Sequence, residues 1–289
     1  MGWRTVVIES PCKLSYKNEH MLIRGEKDVS VFIPEIDTLI VATTQCVTSA
    51  ALICELLKNK VNVILCDEKH NPHSQILPVA GCHNSSKKIA EQIKWTDENK
   101  AKAFSAIVRQ KILNQSSMLK KADKQKESEM LKVYASEVTL NDTTNREGFA
   151  AKVYFNALFG MGFTRDKACV VNAALDYGYT VLLSCFNREV AAAGYLTQFG
   201  IRHCNDFNQF NYSCDLIEPF RVIVDNYVYF SPPSDTLTGE YKRELISLLQ
   251  TKVSLEKEHF LSDAVGIFVR RMSEAVSTGD IQSVKMYEF

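Results

Sequence analysis

Residues 84–115, NSSKKIAEQIKWTDENKAKAFSAIVRQKILNQ, mark the point where the chain changes from strand-like to helix-like sequence. Apolar residues recur there at helical spacing, at positions 89, 93, 104, 107, 108, 112 and 113. Asn84, Ser85 or Ser86 can accept hydrogen bonds from the first free amides of a helix. The stretch therefore predicts one long helix that opens a helical domain.

The 83 residues before it read as a series of short strands. The segments RTVVIE, KLSYK, HMLIRG, VSVFIP and TLIVAT are rich in β-branched and aromatic residues and are separated by turn residues. Residues 47–59 have helical spacing and lead into VNVILCD, a continuous apolar run typical of a buried strand. The next stretch, which holds His70, His73 and His83, is rich in turn residues and is predicted to be a solvated linker.

Helical patterns continue from the long helix to the C-terminus. They cover residues 118–138, 145–160, 170–197, 214–231, 238–251 and 256–276. We therefore predict an α+β chain with an N-terminal β-rich, β-sandwich-like domain over residues 1–83 and a larger all-α domain over residues 84–289. The lysines of the charged segment 118–138 are compatible with DNA contacts but are more typical of a solvated helix face.

Composition restricts the function less than the motifs do. The 289 residues carry a formal net charge of zero, so a phosphate-binding surface would have to be a local patch. The nine cysteines are scattered without a CxxC pair, which favours reduced thiols in a cytoplasmic protein. The opening MGWRTVVIESP is not a signal peptide, and the apolar runs are too short to span a bilayer. We expect a cytoplasmic protein without a membrane partner.

The segment GIRHCNDFNQFNYSCDLIEPFRVIVD, residues 200–225, concentrates the residues that can carry chemistry. His203 lies in a polar loop, and Asp215 and Glu218 are three residues apart, so on a helix they share one face. Pro219 is tolerated only in the first turn of a helix, because the amides there lack an intrahelical acceptor. The two acids are therefore predicted near a helix N-terminus.

A third carboxylate, Glu147, lies in TTNREGFAAKVYFNALFG, where Asn145 is predicted to cap the helix. Taken singly, each candidate has an ordinary explanation: a first-turn acid is favoured by the helix dipole, and His203 can be a satisfied loop histidine. Taken together, Glu147, His203 and the pair Asp215 and Glu218 suit an oxygen-rich Mg²⁺ or Mn²⁺ site. Such hard ligands argue against a zinc–thiolate centre at the nearby cysteines.

Several motifs resemble one known family. The segments NREGxxAxxYFNxLFG and NAALDYGYTxLLS, and GIRH followed by DLIEPFR, are similar to the CRISPR adaptation integrase, CRISPR-associated protein one. The opening GWRTVVI and KLSYKN, together with QKILNQS at 110–116, resemble its type II subtype, from systems whose effector is a single large RNA-guided nuclease. The resemblance covers essentially the whole chain and implies the β-plus-helical fold predicted above.

The resemblance implies a metal-binding catalytic set. The metal-binding glutamate corresponds to Glu147, the histidine to His203 and the last acid to Glu218, with Mg²⁺ or Mn²⁺ as the cofactor. Many relatives have aspartate at the last position, and glutamate keeps the charge but is one methylene longer. Asp215 matches an acid that supports the site.

Three basic residues near these ligands are candidates for DNA contacts. Arg146 lies beside one ligand, and Arg221 follows Glu218 by three residues, so both are placed to contact phosphate oxygens. An ion pair between Arg221 and either Glu218 or Asp215 fits the spacing equally well. Lys152 either contacts DNA or solvates its helix.

The family resemblance implies a metal-dependent DNA endonuclease and integrase, which inserts foreign DNA fragments as new spacers into a CRISPR array. The 3′-hydroxyl of the fragment attacks a phosphodiester at the end of a repeat. The implied partners are double-stranded DNA, a second copy of the chain through the N-terminal dimerisation domain, and the small second adaptation protein. Participation of the effector nuclease stays open. The alternatives are a catalytically silent DNA-binding scaffold, which has no need to gather unpaired charges, and a phosphodiesterase for small nucleotides.

Overall fold

The computed structural model describes residues 2–289, and its contacts divide the chain into two units between His83 and Asn84. The described part of the first unit contains eight strands and a helix. These are β1 Arg4–Ile8, β2 Cys12–Lys17, β3 His20–Arg24, β4 Val29–Phe32, β5 Ile36–Val41, β6 Cys46–Thr48, α1 Ala50–Lys58, β7 Asn62–Cys66 and β8 Pro72–Ile76.

The strands of this unit form two four-stranded sheets around a shared core. In the first sheet, ordered β1-β5-β7-β8, β5 is parallel to β1 and β7, and β8 is antiparallel to β7. In the second, ordered β4-β3-β2-β6, only the β2–β6 pair is parallel. Leu39 and Val63 from the first sheet, Leu14 and Met21 from the second, and Leu52 from α1 are buried in one cluster. The predicted β-rich, sandwich-like region is confirmed.

The solvated linker predicted after β7 is wrong over residues 72–76. These residues form β8, which pairs with β7 from Val63↔Ile76 to Cys66↔Pro72. β8 is an edge strand with largely exposed or half-buried side chains, so its sequence PHSQI lacks the apolar alternation that identifies a strand. Its backbone nevertheless satisfies the open side of β7.

The second unit is helical, as predicted, apart from one short hairpin. Its elements are α2 Ser85–Ile93, α3 Asp97–Lys121, α4 Gln125–Ser136, α5 Arg146–Phe159, α6 Val170–Ala192, α7 Asn211–Ile217, α8 Val222–Phe230, α9 Gly239–Ser247, β9 Lys252–Ser254, β10 Glu258–Phe260 and α10 Leu261–Thr278. The second strand of this hairpin, β10, lies within the helix predicted over 256–276, so that prediction is wrong before residue 261, where α10 begins. None of the helices within residues 2–289 is long and apolar enough to cross a membrane.

The single long helix predicted from residue 86 is broken between α2 and α3. Thr96 caps α3, because its hydroxyl accepts a hydrogen bond from the amide of Asn99 at 3.2 Å. Trp95, just before this cap, is buried and donates from its indole nitrogen to the Ser277 hydroxyl at 2.9 Å. Apolar periodicity does not register this break, because Ile93 fits the helical spacing of the apolar residues although its side chain is 64% exposed.

Helix α3 positions the segment that carries Glu218. It packs against α4, α5, α10 and the short 3₁₀ turn of residues 218–220. Asn114, buried on α3, donates from its side-chain amide to the carbonyl of Pro219 at 2.8 Å and to that of Tyr287 at 3.0 Å. These buried hydrogen bonds fix the turn relative to α3.

Candidate active site

The start of α5 places Glu147, and a residue other than the predicted cap holds it. Asp142 is buried, and its two carboxylate oxygens accept hydrogen bonds from the amides of Arg146 at 2.9 Å and Glu147 at 3.0 Å. Asn145 has a left-handed backbone, with φ of 53°, and no capping hydrogen bond from its side chain. Asn145 thus occupies the N-cap position, and Glu147 lies in the first turn, as predicted, but the capping hydrogen bonds come from Asp142 and not from Asn145. Asn141 and Asp142 are also left-handed, which these residue types tolerate better than most.

Asp142→Ala is expected to lower the free energy of unfolding by about 2 kcal/mol, because it leaves two first-turn amides of α5 without acceptors. Asp235→Ala, at an exposed position, is the matched control and should change stability by less than about 0.5 kcal/mol. Urea unfolding of both variants measures the difference. Equal stability of the two variants would show that solvent replaces the Asp142 cap.

Glu147 and Glu218 meet around one ammonium group. Nζ of Lys111 on α3 lies 2.6 Å from Oε1 of Glu147 and 2.6 Å from Oε2 of Glu218. The two carboxylate oxygens are thus no more than about 5 Å apart and would repel each other by about 3 kcal/mol at an effective dielectric constant of about 20. Burial opposes the charge of Lys111, but Glu218 and Glu147 outweigh it and raise the pKa of Lys111 above its ordinary value. Lys111 is a charged counter-ion of both glutamates.

Glu218 lies in the turn after a helix, not near the N-terminus of one as predicted. Helix α7 ends at Ile217, residues 218–220 form a 3₁₀ turn, and α8 begins at Val222. Pro219 lies at the start of that turn. A backbone amide there has no hydrogen-bond acceptor within the turn, so the absence of an amide proton in proline costs no hydrogen bond. Asp215, inside α7, points to the preceding loop, so it does not face the cation that Glu218 contacts.

Burial alone would raise the pKa of the Glu218 carboxyl. The positive charges and hydrogen bonds of Arg221 and Lys111 outweigh burial and lower the pKa of Glu218 from 4.5 to about 2. Nε of Arg221 donates to Oε1 of Glu218 at 3.0 Å. Glu218 is therefore a fully charged carboxylate held between two cations.

Asp215 organises the loop that presents His203. Its carboxylate is fully buried and accepts hydrogen bonds from three consecutive amides, those of Ile201 at 2.6 Å, Arg202 at 3.0 Å and His203 at 3.2 Å. It also contacts Nδ1 of His203 at 2.6 Å. Gly200 is required here, because a Cβ atom at that position would lie 2.3 Å from the His203 carbonyl oxygen.

Acidic neighbours affect the pKa of the His203 imidazole. Its hydrogen bond with Asp215 raises the pKa of the imidazole above 6.5, burial opposes this, and the charges of Glu218 and Glu147 contribute in the same direction as Asp215. Since Asp215 engages Nδ1, the nitrogen that can bind a ligand is Nε2.

The three predicted DNA-contact residues have different surroundings. Arg221 forms the ion pair with Glu218 and lies over the ring of Tyr179, with its guanidinium carbon 4.6 Å from the ring centroid. Arg146 pairs with Glu137 at 3.1 Å. Lys152 is exposed on α5. The sequence left two roles open for Arg221, a DNA contact and an ion pair with an acid, and the structure contains the ion pair with Glu218.

A cavity of about 460 Å³ adjoins Glu218. Its lining includes three cationic side chains, Lys111, Arg165 and Arg221, together with apolar and acidic groups. Asp225, also in the lining, accepts hydrogen bonds from the hydroxyl groups of Tyr154, at 2.9 Å, and Tyr179. Burial raises the pKa of the Asp225 carboxyl from 3.8 to about 6.

The side chains of the site are of the types that bind a hard divalent cation, but the two glutamates are arranged around the ammonium group of Lys111. Two carboxylates and one oriented imidazole are ligands that Mg²⁺ and Mn²⁺ accept, and Asp215 supplies the second hydrogen bond that metal-binding histidines usually make. Within residues 2–289, no group of three or more such side chains is close enough to hold a metal as it stands. Lys111, between Glu147 and Glu218, fills the position where their charges converge.

Two residues of this site were not singled out from the sequence. Lys111 lies in the QKILNQS motif, but its contact with Glu147 spans 36 residues and depends on tertiary packing. Asp142 carries only a weak local signal, because it lies four residues before the helix start, whereas a capping side chain usually belongs to the residue directly before the helix.

Comparison with known sequences gives one consistent result. A family described as "CRISPR associated protein Cas1" matches residues 5–240. The CRISPR-associated endonuclease Cas1 of Neisseria meningitidis serogroup C (strain 8013) is 33% identical over 295 residues, which cover 100% of this chain and 97% of that protein.

Solved structures share the fold at low sequence identity. A casposase bound to its integration product matches 98% of this chain and 94% of its own, with a TM-score of 0.79 and 16% identity. A chain of a Cas6-RT-Cas1–Cas2 complex matches 99% of this chain with a TM-score of 0.72 and 18% identity. The present chain spans 36% of the length of that longer chain.

Proposed function

The chain belongs to the Cas1 family of CRISPR-associated proteins, and from this premise we propose that it is a metal-dependent DNA endonuclease and integrase of CRISPR adaptation, acting in the cytoplasm of a prokaryote. The predicted family is confirmed, and the predicted type II subtype is consistent with the similarity to the Neisseria protein. The observation that carries the proposal is the convergence of Glu147 and Glu218 on one cation, together with the orientation of His203 by Asp215.

The proposed reaction is a transesterification. The 3′-hydroxyl oxygen of the incoming DNA forms a bond to the phosphorus at the repeat end, and the bond from that phosphorus to the 3′-oxygen of the adjoining strand breaks. One phosphodiester forms and one is lost, so no nucleotide cofactor has to supply energy. With water as the nucleophile, the same chemistry is endonuclease cleavage.

Glu147, His203 and Glu218 are the residues proposed to hold a Mg²⁺ or Mn²⁺ ion. When bound, such an ion polarises the phosphoryl group and lowers the pKa of the attacking hydroxyl. The chain itself supplies orientation: Asp215 fixes the imidazole of His203, and Asn114 fixes the turn that carries Glu218. The DNA end is the nucleophile, so the nearby cysteines and serines need no catalytic role.

The basic side chains around the ligands are proposed to position DNA. Arg221 and Arg165 line the cavity next to Glu218, where guanidinium groups can bind phosphate oxygens. Arg146, at the start of α5, and the exposed Lys152 are further phosphate contacts in this proposal. The net charge of the chain is zero, which makes these local groups the basis of DNA affinity.

The proposed partners follow from the family and from the solved relatives. Those relatives include a casposase bound to an integration product and a complex of Cas1 with Cas2. We propose that this chain binds double-stranded DNA, both as the foreign fragment and as the leader and repeat, and assembles with the small second adaptation protein. Residues 1–83 are proposed to form the dimer contact between two copies of the chain, and the effector nuclease is a candidate additional partner.

A strand-transfer assay tests the proposed function. A labelled duplex and a supercoiled plasmid that carries a leader and repeat are mixed with the protein and its small partner. Joining is expected with Mn²⁺ and is expected to disappear with EDTA, or when His203→Ala replaces the wild type. The variant should retain its fold, because the His203 side chain is 45% exposed and Asp215 keeps its three backbone amide donors. Absence of joining by a correctly assembled wild-type complex would favour the silent scaffold.

A further inference from the structure

Lys111 occupies the position where the two proposed carboxylate ligands converge. Its ammonium is 2.6 Å from each of them, and its own side chain is only 14% exposed. Oε2 of Glu218 is enclosed by protein atoms and makes this contact as an ion pair without an aligned hydrogen bond. A cation from solvent therefore cannot reach this oxygen while Lys111 stays in place.

We propose that Lys111 is a built-in counter-ion that holds Glu147 and Glu218 together in the metal-free protein and has to leave before a divalent cation is bound there. This inference rests on the proposed function, because it takes the two glutamates to be metal ligands. It adds a residue with a defined role, that of an internal competitor for the metal site.

The charge balance of the site explains why both cations cannot be present. Lys111 and Arg221 already neutralise the charges of Glu147 and Glu218. A divalent ion added to this set would leave a net charge of +2 among largely buried groups, which is unfavourable away from water. Departure of Lys111 removes one positive charge and frees Oε1 of Glu147 and Oε2 of Glu218 for the incoming ion.

The adjoining cavity gives Lys111 a place to move. Lys111 is part of the lining of this space of about 460 Å³, together with Arg165 and Arg221. Its flexible four-carbon side chain can rotate away from the glutamates without a change in the helix. There its ammonium would add to the charge of two guanidinium groups, on a wall suited to a DNA phosphate. Metal loading and DNA binding would then favour each other.

Calorimetric titration of Mn²⁺ into the DNA-free protein tests this directly. Lys111→Met is expected to bind Mn²⁺ at least about ten-fold more tightly than the wild type, because no ammonium competes. Lys102→Met is the matched control, since Lys102 lies on the same helix but pairs with the exposed Glu98. It should bind Mn²⁺ like the wild type. In EDTA, the melting temperature of Lys111→Met should be lower than that of the wild type, and saturating Mn²⁺ should abolish this difference.

A second measurement uses the wild type, so the test does not depend on folding of the variant. An amine-specific acylating reagent, followed by mass spectrometry, should modify Lys111 faster when Mn²⁺ is added, whereas modification of Lys102 should not change. Wild-type protein that binds no Mn²⁺ would overturn both this inference and the proposed metal site. Mn²⁺ binding by the wild type with equal affinity in Lys111→Met, or with Lys111 still protected, would overturn this inference alone.

Discussion

Glu147→Gln is expected to lower the rate of strand transfer by at least about three orders of magnitude, or about 4 kcal/mol in activation free energy, while the protein stays folded. The amide keeps the size of the side chain but loses the charge that a hard cation requires. Stability should change little, because Lys111 retains Glu218 as its partner and the Glu147 side chain is 27% exposed. The amide can therefore hydrogen-bond to water.

The measurement is single-turnover strand transfer with Mn²⁺, in the presence of the small adaptation partner and saturating DNA. Thermal melting and gel filtration of the same samples establish that fold and assembly are intact. Glu129→Gln is the control, because Glu129 on α4 is exposed and pairs with Lys132 on the same helix; its rate should match the wild type. Wild-type rates for a well-folded Glu147→Gln protein would remove Glu147 from the metal site.

The fold was predictable from sequence where local pattern and tertiary structure agree. The β-branched runs before residue 48 became strands, and the helical periodicity from residue 84 became helices. The pattern failed where a buried side chain interrupts an element, as Trp95 does between α2 and α3. It also failed at β8, whose edge position tolerates polar residues. The first error arises because periodicity reports which side of an element is apolar, not where the backbone turns. The second arises because an edge strand can keep its backbone hydrogen bonds without an apolar face.

The candidate site was predictable only in part. The types and positions of Glu147, His203 and Glu218 were recognisable, since their motifs resemble those of a known family. Their arrangement was not, because Lys111 reaches Glu147 and Glu218 only through the packing of α3. At the start of α5, Asn145 occupies the predicted N-cap position, but the side chain of Asp142 accepts the hydrogen bonds that Asn145 was expected to accept.

The acids of the site have two separate functions. Glu147 and Glu218 hold charges that face a common cation, and they are the residues proposed to bind a metal once Lys111 leaves. Asp215 instead directs its oxygens to the backbone of the His203 loop. Substitutions of these acids should therefore have different effects. Substitution of Glu147, a proposed metal ligand, should lower only the rate, whereas substitution of Asp215, which supports the loop, should lower both stability and rate.

Asp215→Ala is expected to lower the free energy of unfolding by about 3–5 kcal/mol, the typical cost of leaving buried partners of a removed charge unsatisfied. Three consecutive loop amides and Nδ1 of His203 lose their acceptor together. Strand transfer should also fall at temperatures where the variant remains folded, because the imidazole is no longer oriented.

Chemical denaturation measures the first effect, and the nuclear magnetic resonance signal of the His203 ring reports the second independently of activity. Asp206→Ala is the matched control, since Asp206 is an exposed acid in the same loop. If Asp215→Ala cost less than about 1 kcal/mol, the loop amides would have to find other acceptors, most simply water. The His203 signal then distinguishes two cases. An unchanged ring environment would mean that the loop holds the histidine without Asp215, whereas an altered one would confine the role of Asp215 to orienting the ring.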